Sequence, residues 1–176
     1  IIMVGEMRDS ETAEIAVRSS MTGHLVLSTI HTNDAASTIT RLADLGIQRF
    51  LIASSLVGII AQRLVKVICK HCKKEYISSD KDMKILGVSE PVRLYKGDGC
   101  GHCSYTGYRG RTPIFEIIPV TNEIKRLILQ NSTEDDIKIA AQKTGTTFLR
   151  QNCIELVAKG TTTIEELTKT AYVMEL

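Results

Sequence analysis

The stretch Thr22–Asp34, TGHLVLSTIHTND, decides the fold, because it joins a buried strand to a run of polar side chains. Its centre, Leu25–Thr29, predicts a strand with aliphatic residues on both faces, which is typical of a parallel sheet covered on both sides. Hydroxyl, imidazole, amide and carboxylate groups follow at once, ending with Asp34. Because open parallel sheets bind ligands at the carboxyl ends of their strands, this end is a candidate site.

A second apolar run, upstream of the first, ends in the same way. The aliphatic residues Ile1–Val4 are followed by Gly5, Glu6, Met7, Arg8 and Asp9. Two parallel neighbours deliver their carboxyl ends to one edge of a sheet, so we expect the two polar runs to meet there. The chain opens inside this strand and without a methionine. We therefore expect it to be the back half of a longer protein, whose missing strands lie upstream.

The composition is that of a globular protein. The chain has 176 residues, of which 43% are hydrophobic and 24% are charged, so disordered and fibrous classes are excluded. A net charge of +2 gives no general case for nucleic-acid binding. The longest uncharged apolar stretch, Phe50–Gln62, has thirteen residues, fewer than the ~20 that a membrane-spanning helix needs.

Residues 1–68 predict an α/β layer with a parallel sheet. After the first strand the predicted elements are a helix over Ser10–Met21 capped by Asp9 or Ser10, the strand Leu25–Thr29, a helix capped by Asp34, a helix over Arg49–Ala61 and a strand over Val65–Ile68. The helix over Arg49–Ala61 depends on apolar residues at helical spacing, namely Phe50, Ala53, Leu56, Val57 and Ile60.

The composition changes after residue 68. Residues 69–110 carry clustered lysines and glycines and predict a loop-rich insertion. Residues 111–120 predict an edge strand that returns to the core, because Pro113 and Pro119 would not suit a central strand. Residues 121–176 predict a subdomain of four short amphipathic helices, with Thr133 and Asp136 as a capping box.

Four cysteines form a metal-site pattern. Cys69, Cys72, Cys100 and Cys103 give C-x2-C-x27-C-x2-C. Each pair can direct two sulfurs from one tight turn to the same ion, and two pairs complete a tetrahedron. We therefore predict a structural zinc ion, since four protein ligands leave no open position for catalysis. Two redox dithiols or disulfides are the alternative.

The remaining cysteine and two of the histidines are not predicted to bind metal or to take part in catalysis. His71 and His102 lie inside the two C-x2-C pairs, and we expect them to face solvent. Cys153 shares the apolar face of a predicted helix and is interpreted as packing.

The candidates for catalysis are the polar residues at the strand ends. Glu6 is placed to orient or deprotonate a water, or to hold Mg²⁺ through its hydration shell; the alternative is a charge at a helix start or a partner for Arg8. His31 could donate to a phosphate or carboxylate, or simply cap the loop. His24 precedes its strand, at the end opposite His31, so we expect less direct participation.

The run Ile1–Ala35, IIMVGEMRDSETAEIAVRSSMTGHLVLSTIHTNDA, closely resembles the secretion-ATPase superfamily that powers type II secretion and type IV pilus assembly. IIMVGEMRD resembles its Walker B segment, and TGHLVLSTIHTNDA resembles its His box. The CKHC and CGHC pairs and the later TGYRGRTPIFEI agree with the same family. The tetracysteine motif points to the secretion and pilus-extension branch, since the retraction ATPases lack it.

This resemblance implies the C-terminal half of a RecA-like P-loop NTPase core, with an inserted zinc module and a C-terminal helical subdomain. It implies a homo-hexameric ATPase that uses ATP and Mg²⁺ and works on an inner-membrane platform protein from the cytoplasmic side. By position, Glu6 is the catalytic Walker B glutamate and His31 is the His-box residue near the γ-phosphate. Arg8 and His24 belong to the same motifs as candidates for nucleotide binding.

One family element is missing from the sequence. No G-x-x-x-x-G-K-[ST] occurs in it, so the phosphate-binding loop and its lysine are absent. We therefore expect this chain alone to hydrolyse ATP negligibly. The alternative function is non-enzymatic: a zinc-stapled adaptor module that docks to a membrane-platform protein or to nucleic acid.

Overall fold

Besides a short 3-10 helix at Gly101–Cys103, six strands and eight α-helices make up the regular structure in the part of the chain that the computed structural model describes, which is the backbone of residues 1–174 and the side chains of residues 1–170. In chain order they are β1 (Ile2–Val4), α1 (Ser10–Met21), β2 (Val26–Ser28), α2 (Ser37–Asp44), α3 (Arg49–Ser55), β3 (Gly58–Ile68), β4 (Lys73–Ile77), α4 (Asp80–Leu86), β5 (Arg93–Gly97), β6 (Tyr108–Pro119), α5 (Asn122–Leu129), α6 (Glu134–Lys143), α7 (Leu149–Ala158) and α8 (Ile164–Met174). The end of the predicted helical subdomain, Glu175 and Leu176, lies outside the described residues.

The first strand–helix–strand unit is confirmed. β1 and β2 pair in parallel, with Met3 opposite Leu27. Between them lies α1, which is capped by Asp9: the Asp9 Oδ1 accepts a hydrogen bond from the Thr12 N–H at 2.8 Å. After α1 the chain turns at Gly23, whose φ of 97° is a conformation that glycine adopts without strain. The carboxyl ends of β1 and β2 therefore reach the same edge.

The predicted helix over Arg49–Ala61 is wrong in its second half. α3 ends at Ser55, and the chain continues as β3, which also contains the strand predicted over residues 65–68. Val57 and Ile60, which the helical spacing placed in the core, are 75% and 66% exposed. Three of the five residues from 57 to 61 are β-branched, including Ile59, and such side chains fit a strand better than a helix.

The segment predicted as a loop-rich insertion contains regular structure. β4 and β5 pair antiparallel, with Lys73 opposite Gly97. Between them α4 opens on a capping box formed by Ser79 and Asp82. The loop-rich prediction is wrong here, since an S-x-x-D helix start lies within the run of clustered lysines and glycines.

The strand and helices that follow agree with expectation. The predicted returning strand is β6, which forms a two-stranded sheet with β3. Four helices follow residue 121, and at the start of α6 the Thr133 hydroxyl donates to Asp136 Oδ2 at 2.7 Å. Cys153 is fully buried on α7. Within the described residues, no helix has the length and apolar character required to span a bilayer.

Two compact units make up the chain. The first comprises residues 1–61 and 116–147, and its fully buried residues include Ile39, Ile52, Ile118, Ile124 and Ile128. The second comprises residues 62–115 and those from 148 onward, and it buries Val65, Leu94, Ile114, Leu149 and Leu167. The helices after residue 121 are thus shared between the two units. The predicted domain boundaries after residues 68, 110 and 120 stay a prediction.

Candidate functional site

The ends of β1 and β2 are held side by side by hydrogen bonds beyond the strands themselves. The Met7 N–H donates to the Thr29 carbonyl at 2.9 Å, and the Thr29 hydroxyl donates to the Gly5 carbonyl at 2.7 Å. The parallel pairing therefore continues into the two polar loops. Three of the predicted site residues come together there.

Glu6 lies between His31 and Arg8. Its Oε1 is 3.0 Å from Nε2 of His31, and its Oε2 is 2.6 Å from a terminal nitrogen of Arg8. The Glu6 side chain is 20% exposed, whereas those of Arg8 and His31 are 76% and 89% exposed. The carboxylate is thus partly sheltered, while both nitrogen groups face solvent and can reach a ligand.

Arg8 has the largest effect on the ionisation of Glu6. Its hydrogen bond lowers the pKa of Glu6 below the ordinary 4.5, partial desolvation acts in the opposite sense, and the charges of Arg8 and His31 add smaller decreases. Glu6 in turn raises the pKa of Arg8, chiefly through the same hydrogen bond. At neutral pH the carboxylate is ionised and can only accept hydrogen bonds, which suits a base and not an acid.

The structure does not place His24 with these three. Its Nδ1 lies 3.2 Å from the Thr22 hydroxyl and 3.2 Å from the Ser19 carbonyl, at the C-terminal end of α1. This is the opposite end of β2 from His31. A part for His24 in nucleotide binding stays a prediction.

A buried glutamate beside the His31 loop was missed in the sequence. Glu116 on β6 is 1% exposed, and its Oε1 accepts a hydrogen bond from the Ala35 N–H at 3.0 Å. A signal for it existed, because alternation along the strand puts Glu116 on one face with Ile114 and Ile118. A carboxylate between two buried isoleucines needs a hydrogen-bond donor.

A second buried carboxylate lies in the same loop. Asp34 is 4% exposed, and its Oδ2 is 2.7 Å from Nζ of Lys138 on α6. Its Oδ1 accepts a hydrogen bond at 2.8 Å from the N–H of Ser37, the first residue of α2. The N-cap residue is Ala36, so the prediction that Asp34 caps this helix is wrong by two positions, although Asp34 does bond its first turn. Burial acts to raise the pKa of Asp34, but Lys138 and Ser37 together lower it below the ordinary 3.8.

The four predicted metal ligands form one cluster. Their sulfurs all lie within 4.8 Å of one another, with 3.9 Å between Cys69 and Cys100, and 3.8 Å from Cys103 to both Cys72 and Cys100. A tetrahedral zinc ion bonded at about 2.3 Å would hold its sulfurs about 3.8 Å apart. The donor set and its spacing therefore fit a metal ion. All five cysteines are free thiols in this structure, so no disulfide is formed, and two redox dithiols stay the alternative to a metal site.

Backbone N–H groups point at one of these sulfurs. Cys100 and Gly107 each donate to Sγ of Cys103, at 3.2 Å and 3.3 Å. Burial acts to raise the pKa of the Cys103 thiol, but these two N–H groups and the Cys100 and Cys72 thiols outweigh it and bring the pKa to about 6. Such donors stabilise the thiolate, which is the form that binds a metal.

A close backbone crossing brings the two C-x2-C turns together. A Cβ on Gly107, whose φ is 78°, would lie 2.5 Å from the carbonyl oxygen of Gly97, so only glycine fits. The Cys69 N–H donates to the Gly107 carbonyl at 2.9 Å, and the Asp98 N–H donates to the Cys72 carbonyl at 3.1 Å. Each C-x2-C turn is thus hydrogen-bonded to a backbone segment that flanks the other C-x2-C turn.

The two histidines inside the turns are exposed, as predicted, and stack on each other. The ring centroids of His71 and His102 are 3.9 Å apart, with an angle of 18° between the rings. Parallel rings do not converge on one ion, so the stack supports cysteine ligation alone.

The chain matches known proteins along nearly its whole length. A family model described as Type II/IV secretion system protein matches residues 1–169. The type IV pilus assembly ATPase PilB of Thermus thermophilus is 46% identical over 171 residues, which cover 95% of this chain and 19% of that protein. The type II secretion system protein E of Pseudomonas aeruginosa is 46% identical over 169 residues, covering 95% and 34% respectively.

The fold is also similar to that of a solved motor protein. The crystal structure of the pilus retraction motor PilT with bound ADP matches with a TM-score of 0.64 and 27% identity, covering 96% of this chain and 38% of that one. The chain thus spans about a third or less of the two curated relatives described above.

Proposed function

The chain belongs to the type II/IV secretion system protein family, and on that basis we propose that it is part of an ATPase that drives protein secretion or type IV pilus assembly. The proposed whole protein is a homo-hexamer with a RecA-like core. It works on a platform protein at the cytoplasmic face of the inner membrane. The names of the relatives, a pilus assembly ATPase and a type II secretion protein, support this role.

The contact between Glu6 and His31 is the observation that carries the proposal. Phosphoryl transfer needs little covalent chemistry from a protein, which mainly positions the nucleophile and stabilises charge. In the proposed reaction the ionised Glu6 accepts a hydrogen bond from the water that attacks the γ-phosphate of ATP. Mg²⁺, held through its hydration shell near the same carboxylate, would neutralise phosphate charge.

His31 and Arg8 have supporting parts in this scheme. Nε2 of His31 faces solvent beside Glu6, so it can donate to a γ-phosphate oxygen as readily as to the carboxylate. Arg8 lowers the pKa of Glu6 through its hydrogen bond, and its exposed guanidinium is a further donor for phosphate oxygens. We also propose His24, which belongs to the same motif as His31, as a candidate for nucleotide binding.

We propose that the cysteine cluster holds a structural zinc ion. Cys69, Cys72, Cys100 and Cys103 would supply all four ligands, which leaves no position for a substrate. By the resemblance, this cluster favours the secretion and pilus-extension branch of the family.

ATP binding depends, in this proposal, on more than the present chain. The sequence holds no G-x-x-x-x-G-K-[ST], so the cradle for the β- and γ-phosphates has to come from another part of the protein. We expect negligible ATP hydrolysis by the 176-residue chain alone.

Replacing Glu6 in the full-length protein tests the proposal. We expect Glu6→Gln to lower ATP turnover by about 10²-fold or more while ATP binding stays within a few-fold, because the amide is a poor base. Glu11→Gln, an exposed carboxylate in the first turn of α1, is the matched control and should turn over normally. Near-normal turnover in Glu6→Gln would remove Glu6 from the role of base.

A further inference from the structure

The loop between β2 and α2 has His31 near its start and is buried at its end. Ala35 and Ala36 are completely buried, and Asp34 is 4% exposed, whereas the His31 side chain is 89% exposed. The loop therefore passes from the proposed site into the core within a few residues. Whatever holds its buried end also limits the positions that His31 can take.

One of the contacts that hold the buried end comes from β6. Oε1 of Glu116 accepts the Ala35 N–H at 3.0 Å, and both residues are at most 1% exposed. Placing a carboxylate in the core costs free energy that an ordinary cap at the protein surface avoids. The hydrogen bond between this buried carboxylate and the loop amide ties the loop to β6.

Further hydrogen bonds connect the held end to the rest of the loop. The Thr32 hydroxyl donates to the Asp34 carbonyl at 3.0 Å and lies 3.1 Å from the Thr38 hydroxyl. Thr32 directly follows His31 in the chain. A short, bonded path therefore connects Ala35 to His31 through Asp34 and Thr32.

We propose that Glu116 is a positioning residue, which holds the loop so that Nε2 of His31 stays within hydrogen-bond distance of Glu6. Glu116 bonds to the loop backbone at Ala35, so its effect is exerted through the loop. The catalytic importance of this role rests on the function proposed above. The geometric part, which concerns His31 and Glu6 alone, can be tested without ATP.

Nuclear magnetic resonance of the 176-residue chain tests the geometry. Glu116→Leu keeps a similar volume but removes the acceptor, whereas Glu116→Gln keeps an oxygen that can accept the Ala35 N–H. In Glu116→Leu we expect amide exchange of Ala35 to be about tenfold faster or more, the effect of one lost buried hydrogen bond. We also expect the Nε2 resonance of His31 to shift, and Glu116→Gln to restore most of both signals.

A matched core variant separates positioning from general stability. Ile118→Val changes a fully buried side chain on the same face of β6 without touching the loop acceptor. It should lower stability and leave the His31 resonance in place. If Glu116→Leu loses stability yet leaves the His31 and Glu6 signals unchanged, or if Glu116→Gln behaves like Glu116→Leu, the positioning role is overturned.

ATP turnover of the full-length protein is the separate test of the consequence. We expect Glu116→Leu to lower kcat by about tenfold with little change in KM, because the displaced His31 is proposed to act on the γ-phosphate mainly in the transition state. A wild-type protein without ATPase activity would overturn the proposed function, and the resonance data would still decide the positioning role. A shifted His31 with normal kcat would overturn the catalytic part of this inference alone.

Discussion

Lys138 on α6 places its ammonium nitrogen 2.7 Å from the carboxylate of Asp34, which in turn holds the first turn of α2. The Asp34 side chain is 5% exposed and that of Lys138 is 34% exposed. One partner is therefore buried and the other reaches water. Removing the lysine would leave a buried charge without its ion pair.

We expect Lys138→Met to destabilise the chain by about 1–2 kcal/mol. This is less than the 3–5 kcal/mol typical when a fully buried pair is broken, because water already screens the Lys138 ammonium. Urea unfolding at neutral pH measures the change. Lys143→Met is the control: Lys143 lies on the same helix, is 65% exposed and stands 3.7 Å from Glu123, so its loss should be small.

The loss of stability in Lys138→Met should become smaller as the pH is lowered. The pKa of Asp34 is lowered in the fold from an ordinary value of 3.8. A carboxylate with a lowered pKa stabilises the fold above its unfolded pKa, and that contribution is lost as pH falls through the folded pKa. The difference between wild type and Lys138→Met should be largest at neutral pH and shrink on acidification, as Asp34 becomes protonated and can no longer pair with Lys138. A penalty that grows on acidification would contradict this.

Glu6 should titrate below its ordinary pKa of 4.5, and mainly because of Arg8. Carbon-13 titration of the Glu6 carboxyl measures this directly. We expect Arg8→Gln to raise the pKa of Glu6 more than His31→Gln does, since the hydrogen bond from Arg8 is the largest influence. Arg18→Gln, which removes an exposed arginine paired with Glu14, should leave Glu6 unchanged. The reverse ranking of Arg8 and His31 would be inconsistent with the geometry.

The purified chain should contain about one zinc ion, and Cys100→Ser should lose it. Chelation should lower the melting temperature, because structural metal binding contributes directly to folding free energy. Elemental analysis, a thiol count and thermal unfolding before and after chelation are the measurements. A melting temperature that does not respond to metal removal would argue against a structural ion.

Cys153→Ala is the matched control for the cysteine cluster. Cys153 is fully buried on α7, away from the four cluster sulfurs, so this variant should keep its zinc and lose about 1 kcal/mol of stability. Burial raises the pKa of the Cys153 thiol to about 11. The native protein should therefore resist alkylation at Cys153 until it unfolds.

Two glycines that follow helices provide a test of local packing. Gly160 has a φ of 66°, and a Cβ there would lie 2.4 Å from the Tyr95 ring and 2.6 Å from the Lys73 nitrogen. Gly145 has a φ of 88°, but a Cβ there meets nothing within 4 Å. We expect Gly145→Ala to cost about 1 kcal/mol, from backbone strain alone, and Gly160→Ala about 2–3 kcal/mol. Equal losses in urea unfolding would show that Tyr95 and Lys73 simply move aside.

Features set by neighbouring residues could be predicted from the sequence. The helix start at Asp9, the capping box of Thr133 and Asp136, and the two C-x2-C turns all depend on residues three apart or fewer. The shared edge of β1 and β2 was predictable too, because short strand–helix–strand connections favour parallel neighbours.

Features set by distant contacts could not be predicted. Residues 57–61 were assigned to a helix because an apolar run of this length fits a buried helix or a strand equally well. Their pairing with β6, which appears some fifty residues later, decides for the strand. Likewise Glu116 and Ala35 are 81 residues apart, so no local pattern announces their hydrogen bond. The site residues were predictable, and alternation along the strand indicated a buried Glu116, but its partner in the loop was not predictable.

The crossing at Gly97 and Gly107 has a consequence for the evolution of the chain. It brings the two cysteine pairs together at one end of the β4–β5 sheet, so the segment between the pairs forms a loop whose two ends are held together. The entropy of closing such a loop grows only logarithmically, by about 0.6 kcal/mol for each doubling of its length. We therefore expect changes of loop length next to α4, none of whose residues is buried, to cost little free energy while the crossing and the cysteine sulfurs stay in place.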